Sequence, residues 1–277
     1  MAVADIQRFQ QVLGEAKSAL IILPENPSID SSAAGLALSL ALRRNEKSPL
    51  SVSVACPTPM TVEVNRLVGV NEVRQDYADK NLVVSFINYP AEDVDKVSYN
   101  IENGQFTLTI APKPGHTLPA KEQIDIKHQD LMPDIVIIVG ANFPDGLGRF
   151  SQEHQILDNP NLTLLANTPL SGWPRGVELI DPGASSISEV ADNVITELGL
   201  SLDGDIATNL FLGIQDGTAN FTTPSVTADT FAKAATLISN GARRGTPAVP
   251  QKPVQQSQSQ VPPVWEEPAP DKGPMPL

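Results

Sequence analysis

The chain has 277 residues, of which 32 are Asp or Glu and 19 are Lys or Arg, so that its formal net charge is −13. This acidic balance disfavours binding to long nucleic acids, whose phosphate backbone attracts basic surfaces. The hydrophobic content of 41% argues against a wholly disordered chain, and no apolar run approaches the roughly 20 residues that span a bilayer. The N-terminus also lacks the apolar stretch of a signal peptide, and we therefore expect a cytoplasmic protein with no membrane segment.

The first part of the chain predicts strands joined by helices. Residues 18–23 form a short apolar run, a polar loop follows, and the Ala/Leu-rich residues 33–44 have the basic end expected of a helix C-terminus. Residues 50–55 and 82–87 are further strand candidates, and residues 60–67 have the apolar spacing of an amphipathic helix. We predict that these strands belong to one parallel sheet.

Residues 97–110 predict a β-hairpin, within an insert at about residues 96–112. Two segments of alternating polar and apolar residues flank Asn103-Gly104. This dipeptide favours the tight turns whose backbone twist matches that of the flanking strands.

Strands and then helices are predicted after the hairpin. The apolar runs 135–139, 162–166 and 177–180 are predicted strands, and apolar spacings of three and four predict helices over 185–198, 203–214 and 225–240. The expected fold of residues 1–242 is therefore α/β, with a mostly parallel sheet flanked by helices. Ligands in such folds bind beyond the carboxyl ends of the strands, which directs attention to the loops after Leu23, Val139, Ala166 and Ile214.

The last segment, residues 243–277, has a different composition. It is rich in Pro and Gln and nearly free of Ile, Leu and Phe, so it lacks the apolar surface that would offset its ordering entropy, and we predict a disordered tail. Trp265 is its one large apolar anchor. The tail is interpreted either as an inert solubilising segment or as a docking segment that recruits a protein partner through Trp265.

Two segments resemble the DHH phosphoesterase superfamily, which includes RecJ-type exonucleases, nano-RNases and cyclic-dinucleotide phosphodiesterases. One runs from Leu179 to Ala242, with an Asp-Pro pair, a Ser-Ser-x-Ser-Glu helix start, a Gly-Ile turn and an Asn-Phe pair; the other is IILPENPSIDSSAAGLALSLAL, the opening strand, loop and helix. The resemblance implies a DHH-type α/β domain. It also implies two divalent cations, usually manganese, that activate water against a phosphodiester.

The metal ligands of that superfamily are largely absent from the matching positions. The superfamily has His-x-x-Pro-Asp-x-Asp in the first loop, whereas this chain has Pro24 at the histidine, Ser28 at the first aspartate and Asp30 at the second. After the central strand, the expected aspartate is replaced by the sequence Gly-Ala-Asn at positions 140–142. One ligand of the first loop is retained and the ligand of the second is lost.

The two later motifs are also altered. The Asp-His-His triplet is replaced by Ala-Asn-Thr at positions 166–168, and the aspartate of the Gly-Ile-x-x-Asp-Thr-Gly motif is replaced by Gly217, with Asp216 one residue early. A one-residue shift can be accommodated in a loop, but in a helix the side chain points elsewhere. Asp30 and Asp216 thus remain as vestigial candidates for a weak metal site, and we expect no cofactor unless a partly retained site binds Mn²⁺.

The remaining serine, cysteine and histidine candidates can be interpreted as structural or as functional residues. Ser185 and Ser186 open a helix, as Ser31 does, and such serines either cap the helix or leave its N-terminus free to bind the phosphate of a nucleotide. The single cysteine, Cys56, rules out an internal disulfide or a multi-cysteine metal site, and we interpret it as a packed thiol. The three histidines lie outside the motif positions and are interpreted as loop or surface residues: His116, His128 and His154.

These observations lead to three hypotheses about function. The leading hypothesis is a catalytically inactive, degenerate member of the DHH superfamily, without the separate DHHA1-type substrate domain, that has a binding or scaffolding role. The second is an active metal-dependent phosphoesterase on short oligonucleotides, nucleotides or cyclic dinucleotides, which uses Asp30 and Asp216 with further ligands at Asp145, Asp158 or Asp181. The third is a protein that binds a nucleotide without hydrolysing it.

Overall fold

The computed structural model describes residues 3–45, 49–77 and 79–244, with the side chains of 79–81 and 128–131 left out. Trp265 and the predicted tail from residue 245 onward lie outside the described residues. The strands are β1 (Ser18–Ile22), β2 (Ser51–Ala55), β3 (Asp79–Phe86), β4 (Val94–Glu102), β5 (Gln105–Pro112), β6 (Ile124–Leu131), β7 (Ile135–Val139), β8 (Leu162–Ala166) and β9 (Val177–Ile180). The α-helices are α1 (Val3–Glu15), α2 (Ile29–Arg43), α3 (His154–Leu157), α4 (Ile187–Glu197), α5 (Gly204–Gly217) and α6 (Ala228–Ser239).

A five-stranded parallel sheet forms the centre of the fold, in the order β2-β1-β7-β8-β9. The central strand β7 is wholly buried and consists only of Ile and Val, as expected of a parallel strand that is covered on both faces. The predicted α/β fold with a mostly parallel sheet is confirmed.

Alternate residues of the sheet belong to two apolar clusters, one on each face. Ile21 and Ile137 lie on the face that α1, α2, α4 and α5 cover. Ile22 and Ile138 lie on the opposite face, which is covered by Leu147, Phe150 and Ile156 from the 3-10 helix Pro144–Gln152 and α3. The sheet thus separates two cores, and the three helices α2, α4 and α5 meet over one of them.

The segment between β2 and β7 forms two antiparallel ladders outside the central sheet. β4 pairs with β5 around a turn in which Asn103 (φ 53°) and Gly104 (φ 77°) are both left-handed, so the predicted hairpin is confirmed. β3 pairs with β6. The prediction that residues 82–87 join the parallel sheet was wrong. This run lies mostly in β3, which pairs antiparallel with β6 in a separate sheet, because a short apolar run does not specify its pairing partner.

Two further elements differ from expectation. Residues 60–67, predicted as an amphipathic helix, contain only the short 3-10 helix Val62–Arg66. Helix α1 was not predicted, although Ile6, Phe9 and Leu13 are spaced three and four apart and pack in the core. Within the described residues, no helix is long and apolar enough to cross a membrane.

Candidate functional site

Asp30 joins two helices at the carboxyl edge of the sheet. It is the second residue of α2, and its carboxylate accepts hydrogen bonds from the backbone N–H groups of Ile187 (Oδ2, 2.8 Å) and Ser188 (Oδ1, 2.8 Å), the first two residues of α4. The Ser188 hydroxyl in turn donates to the Asp30 carbonyl oxygen at 3.1 Å. Because the first N–H groups of a helix lack intrahelical partners and favour negative charge, Asp30 acts as an internal anion for α4.

The environment of Asp30 changes its protonation. The side chain is 5% exposed, and this burial raises the pKa of Asp30 to about 6, against the opposing effect of the hydrogen bonds from Ser188 and Ile187. The negative charge of Asp216 raises the pKa further, so the two acidic residues do lie close enough to interact. The carboxyl group therefore changes its charge near neutral pH.

The motif position at Gly217 faces Asp30 directly. Gly217 is the last residue of α5, and a Cβ atom placed on it would lie 2.6 Å from the Asp30 carboxylate and 2.8 Å from the Ser186 Cβ. An aspartate here would have to displace the carboxylate that caps α4. Asp216, one residue earlier, lies in the same helix rather than in a loop, and its side chain is exposed.

The space beside Gly140, which follows the central strand β7, is also occupied by other side chains. Gly140 has a φ of +81°, and a Cβ atom on it would lie 2.8 Å from the Ser31 Cβ and 2.9 Å from the Ile187 Cδ1. A larger residue in this left-handed conformation would be strained as well as crowded. Side chains from α2 and from the start of α4 thus occupy the space where the DHH pattern has a carboxylate ligand.

The next two loops are held together by neutral groups. The hydroxyl of Thr168, which follows β8, donates to the Asn142 amide oxygen at 2.8 Å, and the backbone N–H of Ser171 donates to the Asn142 carbonyl. Cys56, at the end of β2, is buried, and its thiol donates to the carbonyl of Pro24 at 3.6 Å. Hydrogen bonds between loops are therefore present where the superfamily has metal ligands.

The predicted anion-binding serines all have partners within the chain. Ser186 is the N-cap of α4 and accepts from the Glu189 N–H at 3.1 Å, while the N–H and hydroxyl of Ser185 both donate to the Glu189 carboxylate. The Ser31 hydroxyl donates to the Ser28 carbonyl at 3.1 Å. Binding of an external anion at α4 stays a prediction, and it requires that the anion displace the Asp30 carboxylate.

The alternative metal ligands are spread over several elements. Asp145 and Asp158 are exposed, at the 3-10 helix Pro144–Gln152 and at the end of α3. Asp181 accepts hydrogen bonds from the Gly183 N–H and the Asn193 amide, which stabilise the turn before α4. His116 pairs with Asp93 at the base of the hairpin, and His154 begins α3 with its side chain exposed. The side chain of His128 is outside the described part of the chain.

The donor set does not fit the two-metal site that the resemblance implies. Among the described residues, no group of three or more His, Cys, Asp or Glu side chains is placed to hold a metal ion. Both carboxylate oxygens of Asp30 accept backbone hydrogen bonds from α4. A clamp for two cations requires several converging anionic ligands, and the residues at this edge of the sheet do not supply them.

A polar cleft that the sequence did not indicate lies beside Asp216. It has a volume of about 370 Å³ and is lined by Arg66, Gln215, Asp216, Ala219 and Asn220. Three successive residues at its edge, 219–221, have left-handed φ angles of 46°, 60° and 63°, a conformation that is strained for residues other than glycine and is found most often at functional sites. The buried Nε of Arg66 has no hydrogen-bond partner within the described residues.

Comparison with known proteins identifies the fold. No protein-family model and no curated protein matches the sequence. A crystal structure of an exopolyphosphatase-related protein from Bacteroides fragilis is similar, with a TM-score of 0.61 and 14% identity over 87% of this chain and 58% of that chain. The chain shares its α/β fold with that protein, in agreement with the fold that the resemblance implies. At this level of identity the similarity concerns the fold.

A crystal structure of a protein described as a family II inorganic pyrophosphatase from Methanococcus jannaschii is also similar, with a TM-score of 0.45 and 15% identity over 83% of this chain. The chain spans 58% of the length of each of the two structures. In this chain Asp30, Gly140 and Gly217 lie together at the carboxyl edge of the sheet, at the start of α2, directly after β7 and at the end of α5.

Proposed function

We propose that this chain is a catalytically inactive phosphoesterase-like protein whose DHH-type body has a binding or scaffolding role. The observation that carries the proposal is the position of the Asp30 carboxylate, whose two oxygens accept the N–H groups of Ile187 and Ser188. The side chain is also only 5% exposed, and Gly217 and Ser186 adjoin it, so a cation could reach the carboxylate only if these groups moved. The one retained ligand of the first loop has thus taken a structural role.

The surrounding positions support this proposal. Gly140 and Gly217 stand at ligand positions and have no room for a side chain, because Ser31, Ile187 and Asp30 fill the adjoining space. Reactivation would therefore require more than the replacement of individual ligands. The proposal includes a cytoplasmic location, no resident metal, and a partner-docking role for the segment 243–277 through Trp265.

The proposal is tested by calorimetric titration with Mn²⁺ and by hydrolysis assays on the same sample. The substrates are a short oligonucleotide and a cyclic dinucleotide, and an active DHH enzyme assayed in parallel serves as the positive control. We expect neither stoichiometric binding nor turnover. Binding of two ions with turnover that Asp30→Asn abolishes would overturn the proposal and favour the active phosphoesterase.

A second candidate function is nucleotide binding without hydrolysis, and the Arg66 cleft favours it. The guanidinium group of Arg66, which lines this cleft, has N–H donors of the kind that bind a phosphate group. A screen by thermal shift with mono- and dinucleotides tests this function, since a ligand at 100 times its Kd stabilises the folded state by about 2.7 kcal/mol. The shift should vanish in Arg66→Gln, and no shift in the unmodified chain would exclude the nucleotides tested.

A further inference from the structure

The β4–β5 hairpin sorts its side chains into two faces. Successive cross-strand pairs on one side are Val97 with Ile110, Tyr99 with Leu108, and Ile101 with Phe106. The pairs between them are polar, as in Asn100 with Thr107, and they point to the other side because the side-chain period of a strand is two. We call the apolar side the hairpin face, defined by Val97, Tyr99, Ile101, Phe106, Leu108 and Ile110.

The hairpin face is open rather than packed on the body of the protein. Tyr99, Ile101 and Phe106 are 72%, 67% and 63% exposed, and Val97 is 58% exposed. An antiparallel sheet ordinarily packs its apolar side on a core and leaves its polar side in water. A two-stranded hairpin is also only marginally stable by itself. The face therefore has the composition of a surface that is buried against something else.

We propose that a second copy of this chain covers the hairpin face, with the same face of both copies stacked across a two-fold axis. Such a contact places a charge that lies near the two-fold axis against the same charge of the other copy. The hairpin face contains no charged residue. Lys96 pairs in the ladder with Ala111, and Glu102 pairs with Gln105, so both charges lie on the opposite side of the hairpin.

The area is sufficient for a specific interface. Since an aromatic side chain contributes about 150–250 Å², the exposed part of the hairpin face amounts to roughly 500 Å² per copy. A face-to-face contact then buries roughly 1,000 Å² in total, which is the lower limit for a specific interface.

The charges around the hairpin argue against a lipid surface as the occupant. Glu92, Asp93 and Asp95 lie at its base and outnumber Lys96 and Lys113 there, and a net acidic charge is repelled by the anionic lipids that attract peripheral proteins. The aromatic rings of Tyr99 and Phe106 are already stacked on each other at 6.0 Å. A flat, preorganised apolar surface of this kind suits the sheet-on-sheet packing of a second hairpin.

The proposal is tested by analytical ultracentrifugation of the full chain at about 1 to 100 µM, a range that spans micromolar affinities. We expect a concentration-dependent dimer, and Ile101→Lys should raise its Kd at least about 30-fold, because truncated or charged central contacts have effects of this size. The matched control is Asn100→Lys, which adds the same charge to the adjacent residue on the polar side and should leave the Kd unchanged.

Hydrogen exchange of the unmodified chain provides a test that needs no variant. Amides of residues 94–112 should exchange more slowly at the higher protein concentration, while those of β7 should not change. A chain that stays monomeric over the whole range would overturn the proposal. The hairpin face would then have to be covered by a different protein or by residues 245–277. An equal effect of Ile101→Lys and Asn100→Lys would overturn the stacked arrangement.

Discussion

The carboxyl edge of the parallel sheet and the β4–β5 hairpin differ in whether their side chains have partners within the chain. At the sheet edge, groups that could bind a ligand are used internally: Asp30 caps α4, and Ser185 binds Glu189. In the hairpin, side chains that could form a core are left open, as in Tyr99 and Ile101. The polar groups at the sheet edge are thus satisfied within the chain and hold its elements together, whereas the hairpin presents apolar side chains to solvent.

The largest loss of stability is expected when the Asp30 carboxylate is removed. Asp30→Ala leaves the N–H groups of Ile187 and Ser188 without their acceptor, and we expect a loss of about 4 kcal/mol in the free energy of unfolding, as for other buried charged partners. Urea denaturation measures this loss. The control is Asp216→Ala, which removes an exposed carboxylate and should change stability by less than about 0.5 kcal/mol. Equal effects of the two variants would contradict the role assigned to Asp30.

The next effect concerns the pH dependence of stability. Burial raises the pKa of Asp30 from 3.8 to about 6, so the folded protein binds a proton more tightly than the unfolded chain does. The contribution of Asp30 is therefore fully present below about pH 4 and is lost as the pH rises through about 6, by about 3 kcal/mol at 1.36 kcal/mol per pKa unit.

Unfolding free energies at intervals between pH 4 and pH 7 measure this dependence. The comparison variant is Asp30→Asn, which is similar in shape and does not ionise. The difference in stability between the unmodified protein and Asp30→Asn should shift against the unmodified protein by about 2 kcal/mol over this range, since part of the full change lies below pH 4. A difference that is constant with pH would show that folding does not raise the pKa of Asp30.

A smaller effect is expected where α2, α4 and α5 meet. A Cβ atom on Gly213 would overlap the Ser188 hydroxyl and lie 2.8 Å from the Ala33 Cβ, so Gly213→Ala should destabilise the fold by about 2 kcal/mol through overpacking. Gly14 is also helical but has no atom within 4 Å of such a Cβ. Gly14→Ala should therefore be neutral or stabilising by up to about 1 kcal/mol, and thermal unfolding of the two variants compares them.

The smallest loss of stability is expected from a substitution in the turn of the β4–β5 hairpin. Gly104 has a φ of +77°, a conformation that alanine adopts with a penalty of about 1 kcal/mol. Gly104→Ala should speed hydrogen exchange of amides in β4 and β5 and leave exchange in β7 unchanged, because the two regions belong to different sheets. Faster exchange in β7 as well would mean that the hairpin and the central sheet unfold together.

Local patterns in the sequence predicted much of the fold but misassigned particular segments. The apolar run 135–139 could be predicted as the central strand because a strand covered on both faces contains little but β-branched residues. The run 82–87 was assigned to the wrong sheet, because short apolar runs do not specify their pairing partner. At the site, the sequence indicated that ligands were missing at Gly140 and Gly217, and it did not indicate what had filled their places.

The sequence by itself determined the periodic elements, the turn at Asn103-Gly104 and the absence of ligands at the motif positions, since each of these depends on residue types at fixed and short spacings. Only the tertiary structure decided that Asp30 caps a helix that begins 157 residues later, or that the hairpin face is open. Both outcomes depend on how separate elements pack in space, and the free energy of such contacts is not contained in the local pattern of either partner.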